Sequence, residues 1–207
     1  MSVANVLIGL PMINSVYADF FKSFNSAQLL RFDEGVATVE MATWDNGVNN
    51  RNKLVKSCLQ GDFTHLFIMD IDNTFPEFTL SRLLSHDKDV VGGFYTTKKP
   101  PFHSTCFINN KSYVPQNGEK LKQVDIVASG CMLIKRKVLE SMKWPYFFLK
   151  PDYKKQEFAS EDIGFCENVR NMGLEVWCDF SICCGHIGSA TILPCWENDQ
   201  IKIGISV

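Results

Sequence analysis

Residues 66–74 read LFIMDIDNT, and no other stretch narrows the fold as much. Leu66, Phe67, Ile68 and Met69 are apolar in succession, with no polar residue at alternate positions. Successive side chains of a strand point to opposite faces, so such a run belongs to a strand covered on both sides, the situation of a sheet with helices on both faces. The flanking segments alternate in the way that architecture needs. Val3–Leu10 reads as a first strand, followed by a segment with helical spacing at Val16, Phe20, Phe21 and Phe24, and Val36–Met41 as a second strand. Asn49 and Asn50 are candidate caps of a helix whose apolar side is Leu54, Val55, Cys58 and Leu59. Beyond the 66–69 strand, Pro76 suits the first turn of a helix carrying Leu80, Leu83 and Leu84. Val90–Gly93 is a further strand, and PPFHSTCFINNKSYVP reads as a hairpin turning at Asn109-Asn110. Val124–Val127 and Cys131–Ile134 flank Ser129-Gly130. Ser160 is placed to cap a helix with Phe165, Val169 and Met172, stopped by Gly173, and Glu175–Phe180 is the last strand expected. The sequence contains no internal repeat, low-complexity tract or clear linker, so its 207 residues suit one α/β domain.

At 45% apolar and 21% charged residues the chain is expected to build a true core. A net charge of −2 without a basic stripe gives no sign of a nucleic-acid partner. No apolar run reaches the length of a membrane-spanning helix. MSVANVLIGLPMI lacks a basic leader and is broken by Gly9 and Pro11, which favours a first strand over a signal peptide. The expectation is a cytoplasmic protein, in the host cytoplasm if the source is a virus, with its eight cysteines reduced. Cys178, Cys183, Cys184 and His186 invite a zinc reading, but the paired CxxC spacing of a structural site is missing, and buried free thiols are the expectation. His65 and His86 flank structural elements and take no assigned role. His103, beside KKPP, falls in a loop near the site.

Asp70 and Asp72 follow the 66–69 strand, and open α/β sheets bind ligands at the carboxyl ends of their strands. Two chemistries fit. In one, Asp70 is a nucleophile that accepts a phosphoryl group, with Asp72 as its acid/base partner. In the other, neither aspartate reacts and the pair forms a hard oxygen site for magnesium or manganese, completed by water and phosphate oxygens. A third reading is a turn with no chemistry, since Asp72 can form an Asx-turn before the following helix. DIDNT approaches the DxDxT signature of haloacid-dehalogenase phosphatases. That motif normally ends the first strand, carries glycine where this chain has Asn73, and needs a late acidic pair after a strand. Here two strands come first, Glu161-Asp162 opens a helix, and Asp179 stands alone.

IGLPM, NNRNKLV, HLFIMDID, VVGGFY, VASGCMLIKRKVLESM, SEDIGFCENVRNMG and CGHIG follow one another along the chain. In that order these blocks resemble nucleotide-sugar glycosyltransferases of the GT-A fold, above all the compact enzymes of large viruses and phages. The resemblance covers about residues 6–189. It implies a single GT-A (Rossmann-like) domain over residues 1–207, with a mixed, mostly parallel sheet flanked by helices, a nucleotide-binding half over about 1–95 and an acceptor half over about 96–207. The chain is also readable as one domain of a longer polypeptide. The implied activity is transfer of a sugar from a UDP-sugar to a hydroxyl of a glycan or glycoprotein, dependent on Mn2+ or Mg2+. Asp70-Ile71-Asp72 matches the DxD motif, and His186 a late metal ligand, so Asp70, Asp72 and His186 are the implied metal set. Pro11 would border the base and Arg51 the base or diphosphate, Ser129-Gly130 would admit the donor sugar, and Glu161-Asp162 would supply the general base in an inverting enzyme. Such a base is needed because an acceptor hydroxyl attacks only as its proton leaves, and a carboxylate in a first helical turn is kept ionised by the dipole. The alternatives are a phosphatase with Asp70 as nucleophile and a nucleotide-sugar-binding domain without turnover.

Overall fold

The computed structural model describes residues 3–12, 15–26, 35–153, 156–188, 191–197 and 200–206. The elements are β1 (Ala4–Pro11), α1 (Ala18–Ser26), β2 (Gly35–Ala42), α2 (Gly47–Gln60), β3 (His65–Met69), β4 (Asn73–Thr74), α3 (Thr79–Ser85), β5 (Val90–Phe94), β6 (Phe107–Ile108), β7 (Lys111–Ser112), β8 (Leu121–Val124), β9 (Cys131–Lys135), α4 (Arg136–Ser141), β10 (Lys150–Asp152), β11 (Glu157–Ala159), α5 (Glu161–Asn171), β12 (Val176–Cys183), β13 (Gly185–Ile187), β14 (Thr191–Glu197) and β15 (Gln200–Ser206).

Seven strands form the central sheet in the order β2-β1-β3-β9-β5-β12-β8. β1 runs parallel to β2 and β3, and β12 parallel to β5, whereas β9 is antiparallel to both β3 and β5 and β8 is antiparallel to β12. The fold is therefore a mixed α/β sheet flanked by helices. Its apolar run behaves as expected: Leu66 and Ile68 join Leu7, Leu54, Val55 and Phe165 in one core cluster, while Phe67 and Met69 join Val6, Ile8, Phe20, Leu80 and Leu83 in the cluster on the other face. The two sequence halves interleave, because β9 lies between β3 and β5. Among the described residues no helix is long and apolar enough to cross a membrane.

Helix α2 presents Asn50, Arg51, Leu54, Val55 and Cys58 as its buried stripe. It sits close on β1, where a Cβ at Gly9 would come within 2.9 Å of Leu54 Cδ1. The cap of α2 is Asn46, whose side chain accepts from the Asn49 amide at 2.9 Å, rather than Asn49 or Asn50. Asn50 is inside the helix and fully buried, donating to the Met12 and Asp45 carbonyls at 2.8 and 3.0 Å. It ties the end of β1 to the entry of α2.

Other expectations shift in register. Val16 lies before α1, and Pro76 lies before α3, whose N-cap is Phe78 in the left-handed region at φ 59°. The strand expected at Val124–Val127 ends at Val124, because the chain then turns to bring Ser129 and Gly130 to the end of β3. Ser160 occupies the N-cap of α5 without a side-chain capping bond. The Asn109-Asn110 hairpin forms, with φ 52° and 59° at the two turn residues. β12 is not the last strand: β13, β14 and β15 follow and build a second sheet, β15-β14-β13-β4.

Candidate functional site

The site is assembled at the end of β3 by chain segments arriving from both directions. The amide of Asp70 donates to the Gly130 carbonyl at 3.0 Å, and the Asn73 amide donates back to the Asp70 carbonyl at 3.1 Å, closing a turn that projects Ile71 and Asp72. β13 adds to the short strand β4, pairing His186 with Asn73, and the Ile187 amide donates to the Asp72 carbonyl at 2.6 Å. Because β9 is reversed relative to β3, the residues that precede it, Ser129 and Gly130, reach the same level that residues following a parallel strand reach.

Arg51 is the electrostatic centre. Only 7% exposed, it donates from Nη2 to both carboxylate oxygens of Asp70 at 2.6 and 2.7 Å and from Nη1 to Glu161 Oε1 at 2.9 Å. Burial works against its charge, but Asp70, Asp162 and Glu161 outweigh that and raise its pKa. Burial pushes the Asp70 carboxyl up to about 6, with Arg51 pulling the other way. Asp162 is raised for the same reason, burial opposed by Arg51, with the amide and hydroxyl of Ser129 facing its carboxylate. Its Oδ1 is shut off from solvent and has no hydrogen-bond partner. One guanidinium thus serves three carboxylates, a cluster that attracts further cations.

Asp72 and His186 form the second group. His186 Nε2 stands 3.9 Å from Asp72 Oδ2, and His186 Nδ1 lies 2.7 Å from the Thr96 carbonyl. A carbonyl only accepts, so Nδ1 carries the hydrogen and the Nε2 lone pair of the neutral ring faces Asp72. Burial lowers the His186 pKa and favours that neutral form. Lys98 Nζ makes an ion pair with the same Oδ2 of Asp72.

Pro11, Ser15, Tyr17, Gly47, Arg51, Asp70, Ile71 and Asp72 line a cleft of about 330 Å³, within the range of small-ligand sites. Five expected donor-site residues, Pro11, Arg51, Asp70, Ile71 and Asp72, therefore share one cavity. Ser129, Gly130, Glu161, Asp162 and His186 stand around the same turn without forming its lining. The first turn of α2, through Gly47, also reaches the cleft.

Two sequence expectations change here. Asp70 does not stand free beside Asp72 and His186, since both its oxygens are bonded by Arg51; the residues left to a metal are His186 and Asp72, the latter paired with Lys98. Gly130 is explained by packing: a Cβ there would lie 2.5 Å from Tyr95 Oη and 2.6 Å from Asn73 Oδ1. Its amide donates to Tyr95 Oη at 2.9 Å.

Among the described residues no three His, Cys, Asp or Glu side chains converge to hold a metal unaided. Asp72 and His186 nevertheless suit one that takes the rest of its shell from water and phosphate, as magnesium and manganese do. Two neighbouring ligands of an octahedral ion, each ~2.1 Å from it, stand about 3.0 Å apart, so the pair would need to close by about 1 Å from its separation of 3.9 Å. The imidazole favours manganese over magnesium. The zinc set does not form. Cys178 Sγ lies 3.2 Å from Cys106 Sγ, Cys184 lies against Cys131, and His186 turns to Thr96. Cys58, Cys106, Cys131, Cys166, Cys178 and Cys184 are buried thiols and Cys183 is half-buried, with Cys195 outside the described side chains.

His86 is a structural partner, Nε2 to Asp179 Oδ2 at 2.8 Å, and His65 Nδ1 lies 2.9 Å from Thr64 Oγ1. His103 is exposed in the loop after β5. Lys98 and Tyr17 join the site without having been named from sequence, and Asn50 and Asn73 join it in roles other than the ones read there. Only Lys98 carried a local signal, the basic pair in TTKKPP after a strand.

No known family profile matches the chain, and no curated protein matches it significantly. Among solved structures, the crystal structure of A197 from STIV matches 98% of this chain and 94% of its own, with a TM-score of 0.65 at 18% sequence identity. At that identity the likeness is one of fold.

Proposed function

We propose that this protein is a metal-dependent glycosyltransferase that moves a sugar from a nucleotide-diphosphate sugar, a UDP-sugar by family resemblance, to a hydroxyl of a glycan or glycoprotein. The observation that carries the reading is the convergence of Asp72 and His186 Nε2 beside the cleft that Pro11, Arg51 and Asp70 line. Tyr17, 45% exposed at that cleft, offers an aromatic face to the base beside Pro11. A divalent ion held by Asp72 and His186 would act as a Lewis acid on the departing diphosphate. The chain's residues have the remaining tasks. Arg51 fixes Asp70 and offsets part of the negative charge of the carboxylates around it. The amides of the first turn of α2, in a helix of 14 residues, favour an anion nearby.

Of the two candidate bases Asp162 has the raised pKa and is the stronger proton acceptor once ionised, but its Oδ1 is closed to solvent and has to be uncovered before an acceptor hydroxyl reaches it; Glu161 has one oxygen, Oε1, bonded to Arg51. The same geometry counts against the phosphatase alternative. A nucleophilic carboxylate needs a free oxygen, and both oxygens of Asp70 are bonded by one guanidinium. The test is calorimetric titration with UDP in manganese and in excess EDTA, together with release of UDP from UDP-sugars. Binding and release should need the metal and return when it is restored. Full activity in excess EDTA, or inorganic phosphate released from an aryl phosphate through a phosphoenzyme at Asp70, refutes the proposal.

A further inference from the structure

The segment after β5 does two things to the metal pair at once. The Thr96 carbonyl fixes the hydrogen of His186 on Nδ1, and two residues later Lys98 places its ammonium on Asp72 Oδ2. The loop is closed at its base by the Thr96–Ser104 bridge and by the Thr97 amide donating to the His103 carbonyl at 2.9 Å, with the Phe102 amide donating to Lys99 at 2.9 Å inside it. The Lys98 backbone is thereby anchored, while its four-carbon stem stays free to pivot. The Lys98 and Asp72 side chains keep 33% and 26% exposure, so their pairing is reversible. The same Oδ2 also faces the His186 lone pair. An ammonium and a divalent ion cannot share that oxygen, because like charges so close repel strongly.

We propose that Lys98 is the resident counter-ion of this site: its ammonium and the divalent ion compete for Asp72, and the displaced ammonium then turns onto the diphosphate of the donor. This inference rests on the transferase reading and adds an order of events. Metal entry releases a lysine that its loop keeps within reach, and the released charge helps hold the phosphates. Metal without nucleotide therefore binds weakly, since it must break an ion pair. Metal with a diphosphate binds well, since the lysine gains a new anionic partner.

The experiment is a titration of the intact chain with manganese chloride alone, followed by electron paramagnetic resonance of free Mn2+, for the wild type, Lys98→Met, Lys98→Arg and Asp72→Asn. UDP is then titrated calorimetrically at saturating manganese. Lys98→Met should bind Mn2+ about 2- to 5-fold more tightly than the wild type, the scale of one half-exposed ion pair, and should bind UDP more weakly. Lys98→Arg should follow the wild type, and Asp72→Asn should lose Mn2+. An unchanged or weaker Mn2+ affinity in Lys98→Met, or unchanged UDP affinity, overturns the role of Lys98 while Mn2+ binding by the wild type leaves the metal reading standing. If neither the wild type nor Lys98→Met takes up Mn2+ with or without UDP, the metal reading and the inference fall together.

Discussion

Replacing Arg51 with methionine removes the cation that three carboxylates share, and the cost should depend on pH. Breaking a buried ion pair by deleting one partner costs about 3–5 kcal/mol, because the remaining charge is left without compensation. The side chains of Asp70 and Glu161 keep 23% and 18% exposure, which places the expected loss near the lower end, about 3 kcal/mol at pH 8. Methionine fills much of the space of the arginine stem, so the cavity contribution is small. The carboxyl of Asp70 already titrates at about 6 rather than 3.8, raised by burial against the pull of Arg51. An acid with a raised folded-state pKa is stabilising while protonated, fully so below its unfolded pKa, and that contribution is lost as the pH rises through the folded pKa. Without Arg51 the folded pKa climbs further and the loss continues above pH 6. At pH 5 Asp70 is mostly protonated in both proteins, so the gap should shrink to about half, leaving the Glu161 contribution. Urea unfolding followed by tryptophan fluorescence at pH 5 and pH 8 measures both gaps. A loss equal at the two pH values, or below about 1 kcal/mol at pH 8, would refute the electrostatic account and leave Arg51 as a packing residue.

Asp72→Ala should abolish turnover and leave the melting temperature within a few degrees of the wild type, since this half-buried side chain fills no core space; a collapse of the melting temperature would make the aspartate structural. Asp162→Asn should leave UDP affinity nearly unchanged while transfer falls roughly 10²- to 10⁴-fold. The rising acidic limb expected in the wild-type pH–rate profile as the raised carboxyl ionises should vanish in the variant; near-normal transfer in Asp162→Asn moves the role to Glu161 or to a mechanism without a base, which product anomeric configuration by NMR separates. Gly130→Ala should cost about 1–3 kcal/mol through overpacking, and Tyr95→Phe in the same chain should recover part of it by removing the hydroxyl that the new methyl meets; equal stability of the single and double variants argues that the strain lies elsewhere.

Much of the frame was legible because burial leaves a period. β1, β3 and β5 announce themselves as apolar runs, and α2 and α5 by their 3.6-residue stripes. The misses have local causes. Three asparagines crowd the start of α2, and the cap falls on the one where the chain leaves extended geometry, Asn46 at φ −71° and ψ 165°, while Asn50 is drawn inward by the Met12 carbonyl. Pro194 in TILPCWE argues against a strand. It is accommodated because β13 pairs with β14 only at Thr191 and Ile192, so at Pro194 the ladder runs to β15 alone among the described residues. At the site, the residue types were readable and the pairings were not. The pattern DxD carries no mark that Asp70 belongs to an arginine 19 positions earlier, nor that a lysine 26 positions later rests on Asp72.

The reversed strand at the middle of the sheet also sets when two apolar strand edges are covered during synthesis. β3 and β5 leave the ribosome early, yet neither pairs with the other; each waits for β9, which is made some 40 residues after β5. Until then the nascent chain carries two apolar strand edges with unpaired amides and carbonyls, the kind of surface that recruits other chains. A truncation anywhere before Cys131 leaves those edges open permanently and should give aggregate in place of a smaller folded unit. A truncation just beyond Lys135 closes the two edges that face β9, yet leaves open the β5 edge that β12 covers and lacks the strand that brings His186 to the site.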